Sequence, residues 1–199
     1  MNLVWLAVAG GGLAILSGSI AAAVRPDIPE WEQHVFHAIN GLPHWLLPVL
    51  WLPMQLGNLV VGTALGLAIA LAAGEVSIAV GVVLAAALKV VAERLVRRQL
   101  QSKLEARLRP GTSETDAVLR GSDVPPAGPS FPSGHVILVA AISCVVDPLL
   151  PLGLLWVPFL LTALVMVGRV YVGAHNPLDA TAGLGAGLLL GGLVAAIVH

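Results

Sequence analysis

The sequence predicts an all-α fold, a polytopic bundle of six membrane-crossing helices. Three observations predict it. The chain is 57% hydrophobic and only 11% charged, with a mean hydropathy of +0.92, which suits surface facing lipid rather than water. Apolar runs long enough to cross a bilayer recur along it, separated by turns and one long polar loop. The Lys and Arg residues gather on one side of those runs, and the other side has only tight turns and chain ends. The net charge of −1 gives no electrostatic footprint for nucleic acid. The single Cys144 excludes an intramolecular disulfide and reads as a small buried hydrophobe. No Cys/His cluster has zinc spacing.

Residues 3–24 form the first apolar run. Ala21-Ala22-Ala23 would suit a cleavage site, but the run is long and lacks a basic start, so it reads as a retained span with Trp5 near one interface. Residues 25–43 are mixed, with Arg25, Asp27, Glu30 and Glu32. Trp31, Val35, Phe36 and Ile39 fall at helical spacing, which predicts an amphipathic helix lying on the membrane surface. His34 and His37 read as its solvated face rather than a metal pair. Residues 44–73 are apolar but broken by Pro48, Pro53 and Gly57. That predicts a kinked helix, or a partial helix followed by the span proper. Gly74-Glu75 is a tight turn, and residues 76–98 make a third span with a basic end: Lys89, Arg94, Arg97, Arg98.

Residues 99–131 are the one long polar loop. Leu100, Leu104 and Leu108 recur every four residues, an amphipathic continuation that Pro110-Gly111 should end. Three more spans follow, about 133–149, 152–172 and 177–198, the first two separated by Asp147-Pro148. In the last, Asn176 suits the N-cap, Pro177 position N1 and Asp179 position N3. Gly183, Gly187 and Gly191 make a close-packing surface and a route to a homo-oligomer. The whole chain, 1–199, reads as one integral-membrane domain.

Two stretches carry chemistry. In Phe131-Pro132-Ser133-Gly134-His135, Ser133 is a good N-cap whose hydroxyl can accept from a backbone N–H. Gly134 allows close approach of a ligand, and the start of the apolar helix would bind phosphate. His135 is a candidate proton donor. The second stretch runs Arg169-Val-Tyr-Val-Gly-Ala-His175-Asn-Pro-Leu-Asp179 and also lies at a span boundary. Order and spacing resemble the phosphatidic acid phosphatase type 2 superfamily, the membrane branch of the vanadium haloperoxidase-like phosphatases. That family joins a Pro-Ser-Gly-His box to Arg, five residues, His, three residues, Asp.

The residues and the resemblance imply the same roles. His175 attacks phosphorus to give a phosphohistidine, which splits one hard displacement into two easier ones. Asp179 holds the other ring nitrogen. His135 protonates the leaving oxygen and then activates water. Lys89, Arg109, Ser133, Gly134 and Arg169 bind the phosphoryl oxygens. The resemblance implies no metal and no other cofactor. The family's first box, Lys, four residues, Arg, one residue, Arg-Pro, is interrupted. Lys89 to Arg94 fits its front and Arg107-Leu108-Arg109-Pro110 its back, with Leu95 to Ala106 between. Lys89 and Arg109 would stand about 30 Å apart on an unbroken helix. Arg97 or Arg98 could therefore replace Arg109, or Lys103 could replace Lys89. Lys89 is favoured because a charge inside a span is costly and usually functional.

The expected function is hydrolysis of a phosphomonoester or pyrophosphate on a membrane lipid: a polyprenyl phosphate or pyrophosphate, phosphatidic acid, or phosphatidylglycerophosphate. The alternatives are a small transporter or channel, or an inactive lipid-binding member of the family. The expected location is the cell (inner/plasma) membrane. The positive-inside rule turns the basic, motif-bearing face toward the cytoplasm, whereas the resemblance points to the outer side.

Overall fold

A helix that is apolar all round is stable in hydrocarbon, where its backbone groups satisfy one another. The chain builds such helices almost throughout. The structure is a computed structural model and describes residues 3–24, 27–100, 107–114, 116–121 and 124–199. Arg25, Lys103, Leu104 and Ser122, with the side chains of Arg97 and Leu100, lie outside the described residues, as does most of the expected amphipathic continuation. The helices are α1 (Leu3–Ala23), α2 (Glu30–Asn40), α3 (Leu47–Met54), α4 (Leu59–Ala72), α5 (Val76–Leu100), α6 (Pro110–Ser113), α7 (Gly134–Val146), α8 (Val157–Tyr171) and α9 (Pro177–Val198).

The result is an all-helical membrane bundle. Among the described residues, four helical stretches are long and apolar enough to cross a bilayer: Leu3–Ala23, Val76–Val96, Leu152–Tyr171 and Pro177–Val198. A fifth is gained if His44–Gly57 and Leu59–Ala72, bent by 74°, count as one. Gly134–Leu149 is a shorter apolar helix. The expected six spans are therefore four or five by length and composition. The cause of the break is local. The Asn58 side chain accepts the N–H groups of Val60 and Val61 at 3.0 and 3.3 Å, which starts α4 afresh in a new direction.

The short α7 is the centre of the bundle. Every residue from Val136 to Val146 is buried, packed by α4, α5, α8 and α9. Glycines in α9 make this possible. A side chain at Gly183, Gly187 or Gly191 would collide with Ser133, Ala140 or Ala141. The glycine stripe expected to seat a second copy thus seats α7 of the same chain. The opposite face of α9 receives α1, which runs antiparallel to it. Gly12 and Gly185 let the two backbones touch, and Trp5, in the first turn of α1, is buried against Ala195 and Ala196. At the other end Ala23 packs with Phe131 and Ala182. Leu3 and Val198 therefore lie at the end of the bundle remote from both histidine boxes.

Two further expectations are corrected. The α2 helix does not float on the surface by its apolar face. It buries Glu32, Phe36 and Asn40, leaving Trp31 and Val35 half-exposed. Asn40 donates to the carbonyls of Val118 and Tyr171 and accepts from the Val118 N–H, so α2 is bolted to the rest. Pro110-Gly111 opens the one-turn α6 rather than ending a helix, because Pro is already fixed for a first helical turn. The polar loop is held down by Arg120, which donates to the Tyr171 and Leu42 carbonyls and stacks 4.3 Å over the Tyr171 ring.

Candidate active site

The start of α7 is pinned from behind. The Ser133 N–H donates to the Asp179 carbonyl at 2.9 Å, tying the first histidine box to the second. The Ser133 hydroxyl, expected to cap the helix, does not. It is fully buried and makes no hydrogen bond within the protein. A buried hydroxyl beside free helix N–H groups can serve an anion instead. Gly134 is needed at its position because a Cβ there would stand 2.8 Å from the Glu93 carboxylate. His135 follows, and it packs directly on Gly57 at the break between α3 and α4, where an added Cβ would stand 2.6 Å from the His135 Cβ and 2.8 Å from its ring.

His175 sits in the turn after α8. The Ala174 and His175 N–H groups both donate to the Arg169 carbonyl, and Gly173 supplies the left-handed residue (φ +76°) that reverses the chain. Arg169 and His175 are both buried. Nδ1 of His175 lies 3.8 Å from Oδ2 of Asp179, facing it but longer than a hydrogen bond. Asp179 occupies N3 of α9, as its spacing from Asn176 predicts, and its Oδ2 accepts the Asn176 N–H at 2.9 Å. Burial lowers the pKa of His175, and Arg169 and Arg109 add to the effect against the opposing pull of Asp179. The ring is therefore neutral at neutral pH, the form with a lone pair to attack.

The interrupted first box is brought together by chain reversal. Leu108 bridges Pro129, and the Arg109 N–H donates to the Gly128 carbonyl, so the segment after α5 returns toward the bundle. Arg109 Nη1 donates to the Ala174 carbonyl at 2.7 Å, beside His175. Lys89, Arg109 and Arg169 all lie close enough for their charges to act on His135, and His175 is also within electrostatic reach of it. Lys89 is not the lone charge the sequence suggested, since its Nζ is 2.7 Å from Glu93 one turn on. Arg98 is exposed.

Sequence reasoning missed a second layer behind Asp179. Arg107 is buried, and its Nε donates to Asp179 Oδ1 at 2.8 Å. Its Nη2 donates to Glu32 Oε1, which also accepts the Leu178 N–H at 2.8 Å. Burial works against the charge of Arg107, but Asp179 and Glu32 more than offset it and raise its pKa. The signal was present in α2. Glu32, Phe36 and Asn40 share one helical stripe, and an acid on an inward stripe needs a cation.

Residues 64–199, more than half of the chain, match the PAP2 superfamily model. No curated protein matches significantly. Among solved structures, LpxE of Aquifex aeolicus has the same fold, with a TM-score of 0.66 at 24% identity over 83% of this chain and 93% of that one. The first transmembrane PAP2-type phosphatidylglycerolphosphate phosphatase of Bacillus subtilis gives 0.67 at 23% identity, over 94% of this chain and 95% of that one. With both histidine boxes, the basic cluster and the matched region in agreement, this chain belongs to the PAP2 superfamily of membrane phosphatases.

Proposed function

We propose that the protein hydrolyses a phosphomonoester or pyrophosphate carried on a membrane lipid, through a phosphohistidine on His175. The observation that carries this reading is the convergence of Arg109 and Arg169 on both histidines and of Lys89 on His135, beside a buried hydroxyl at a helix start. His175 attacks phosphorus through Nε2, and His135 gives its proton to the departing lipid oxygen. His135 then takes a proton from water, which attacks the phosphohistidine and releases inorganic phosphate. Lys89, Arg109, Arg169, Ser133 and Gly134 hold the equatorial oxygens throughout. An apolar cavity of about 180 Å³ lies among α4, α7 and α8, lined by residues including Leu56, Gly62, Val139 and Ile142. It suits a substrate with a hydrocarbon tail, of the polyprenyl, phosphatidic acid or phosphatidylglycerophosphate type.

The reading extends to the whole chain. One domain crosses the membrane six times, counting the bent pair and Gly134–Leu149 as crossings, with the site on the cytoplasmic side of the cell membrane. The experiment is phosphate release by purified protein from a panel of lipid phosphates, with His175→Ala as control. Release by the wild type alone, unaffected by chelator and inhibited by vanadate, is expected. Transport of a lipid phosphate without release would replace enzyme by transporter.

A further inference from the structure

We infer that Glu32 and Arg107 are positioning residues of this reaction: a buried carboxylate–guanidinium arm that holds Asp179 facing His175 and leaves the group around Asp179 with a net negative charge. The inference rests on the phosphatase reading above and adds two residues to it. Glu32 lies outside the matched region 64–199.

The geometry is specific. A carboxylate at N3 of a helix can rotate. Here Oδ1 is taken by Arg107 Nε and Oδ2 by the Asn176 N–H, so the plane is fixed with Oδ2 toward His175 Nδ1. Arg107 itself stands outside any helix, and Glu32 adds the second hold on its guanidinium. Glu32 holds its Nη2 and, with the same oxygen, the N–H of Leu178, the residue before Asp179. One side chain of α2 thus fixes both the arm and the turn of α9 that carries the carboxylate.

The charges add a reason beyond anchoring. Two carboxylates share one guanidinium, so the group is net negative. A phosphorylated imidazole is cationic, and this residual charge stabilises it when His175 attacks. A buried ion pair is a poor source of fold stability, and the second oxygen of Glu32 makes no hydrogen bond, so anchoring alone does not require an acid here. The groups facing His175 are Asp179 from α9, Arg169 from α8, Arg109 from the loop and His135 from α7. Arg107 and Glu32 act on it only through Asp179.

The test is Glu32→Gln, which keeps an acceptor for both donors and removes the charge. Its kcat should fall about tenfold to a hundredfold. KM for the lipid phosphate should stay within about twofold, because Glu32 does not touch substrate. The acid limb of the kcat profile should move to lower pH, because His175 then loses negative charge nearby. Carbon-13 NMR of labelled histidine in detergent, assigned with His175→Gln, should show His175 titrating lower in the variant. Arg107→Lys keeps the charge and loses the fork, so it should lower kcat without the downward shift. An unchanged kcat in Glu32→Gln would overturn the inference. So would a lower kcat with an unmoved limb and an unmoved NMR titration, which is the result of a merely structural role. Should the wild type release phosphate from no lipid, the phosphatase reading fails, and the NMR comparison still decides whether the arm acts on His175.

Discussion

His175 and Asp179 are neighbours along the sequence, and a loop-to-helix turn makes them neighbours in space. The nucleophile role predicts that His175→Ala lowers phosphate release by about 10³-fold or more. Asp179→Asn should cost about 10²–10⁴-fold, because the amide presents the wrong partner to Nδ1. Both are read as initial rates on protein that still elutes as a folded species. The pH profile gives a second prediction. Attack requires neutral His175, and protonation blocks it. Burial, Arg169 and Arg109 move that protonation below the ordinary histidine value of 6.5, so activity lost on acidification is lost later than for an ordinary histidine. The acid limb of kcat/KM should therefore have its midpoint below 6.5. A midpoint at or above that value would mean that the charge around the ring is misread.

Among the elements, the break between α3 and α4 is the one that touches chemistry. Gly57 is the floor under His135, and a Cβ there meets Cβ of the histidine, which has no slack to give. Gly57→Ala should push the imidazole off line and lower kcat by about 10²-fold when rates are read on the folded fraction, the forced contact itself destabilising by about 1–3 kcal/mol. A loss of stability with an unchanged rate on the folded fraction would show a packing role only. Most elements were legible beforehand. Long apolar runs, the Gly74 turn and the Asn176-Pro177 start of α9 follow from local rules. The helix start at Gly134 was legible too, but not the idle Ser133 hydroxyl, since whether a cap bond forms depends on what else crowds the turn. Glu32 and Arg107 were not legible as partners. They lie 75 residues apart and meet because residues 107–109 lie against the bundle beside α2 and the start of α9. Spacing arguments on an unbroken helix kept Lys89 and Arg109 apart for the same reason. The glycine stripe was read correctly as a packing surface, but a single sequence does not say which helix fills it.

On the scale of the whole molecule, all ten Lys and Arg residues fall, by sequence, in or near the loops on the motif-bearing side of the apolar runs. Lys89, Arg107, Arg109, Arg120 and Arg169 have structural or proposed site duties, so the orientation rule rests on Arg25, Arg94, Arg97, Arg98 and Lys103. A cysteine at Ser122 in a Cys144→Ala background should resist a membrane-impermeant thiol reagent in intact cells and react after permeabilisation. Labelling in intact cells would place the site outside. The antiparallel seam between α1 and α9 bears on biogenesis. A ribosome delivers α1 to the membrane long before α9 exists, and α9 is the principal partner of α1. Until then the small-residue face of α1 around Gly12 has only lipid to meet, and α7 lacks the glycine wall that seats it. The bundle closes last at the seam, after both histidine boxes have been synthesised. A chain stopped before α9 should be inserted yet remain open to membrane proteases. Co-expression of α9 with its preceding turn as a separate peptide should restore protection, because the seam needs no covalent link to form.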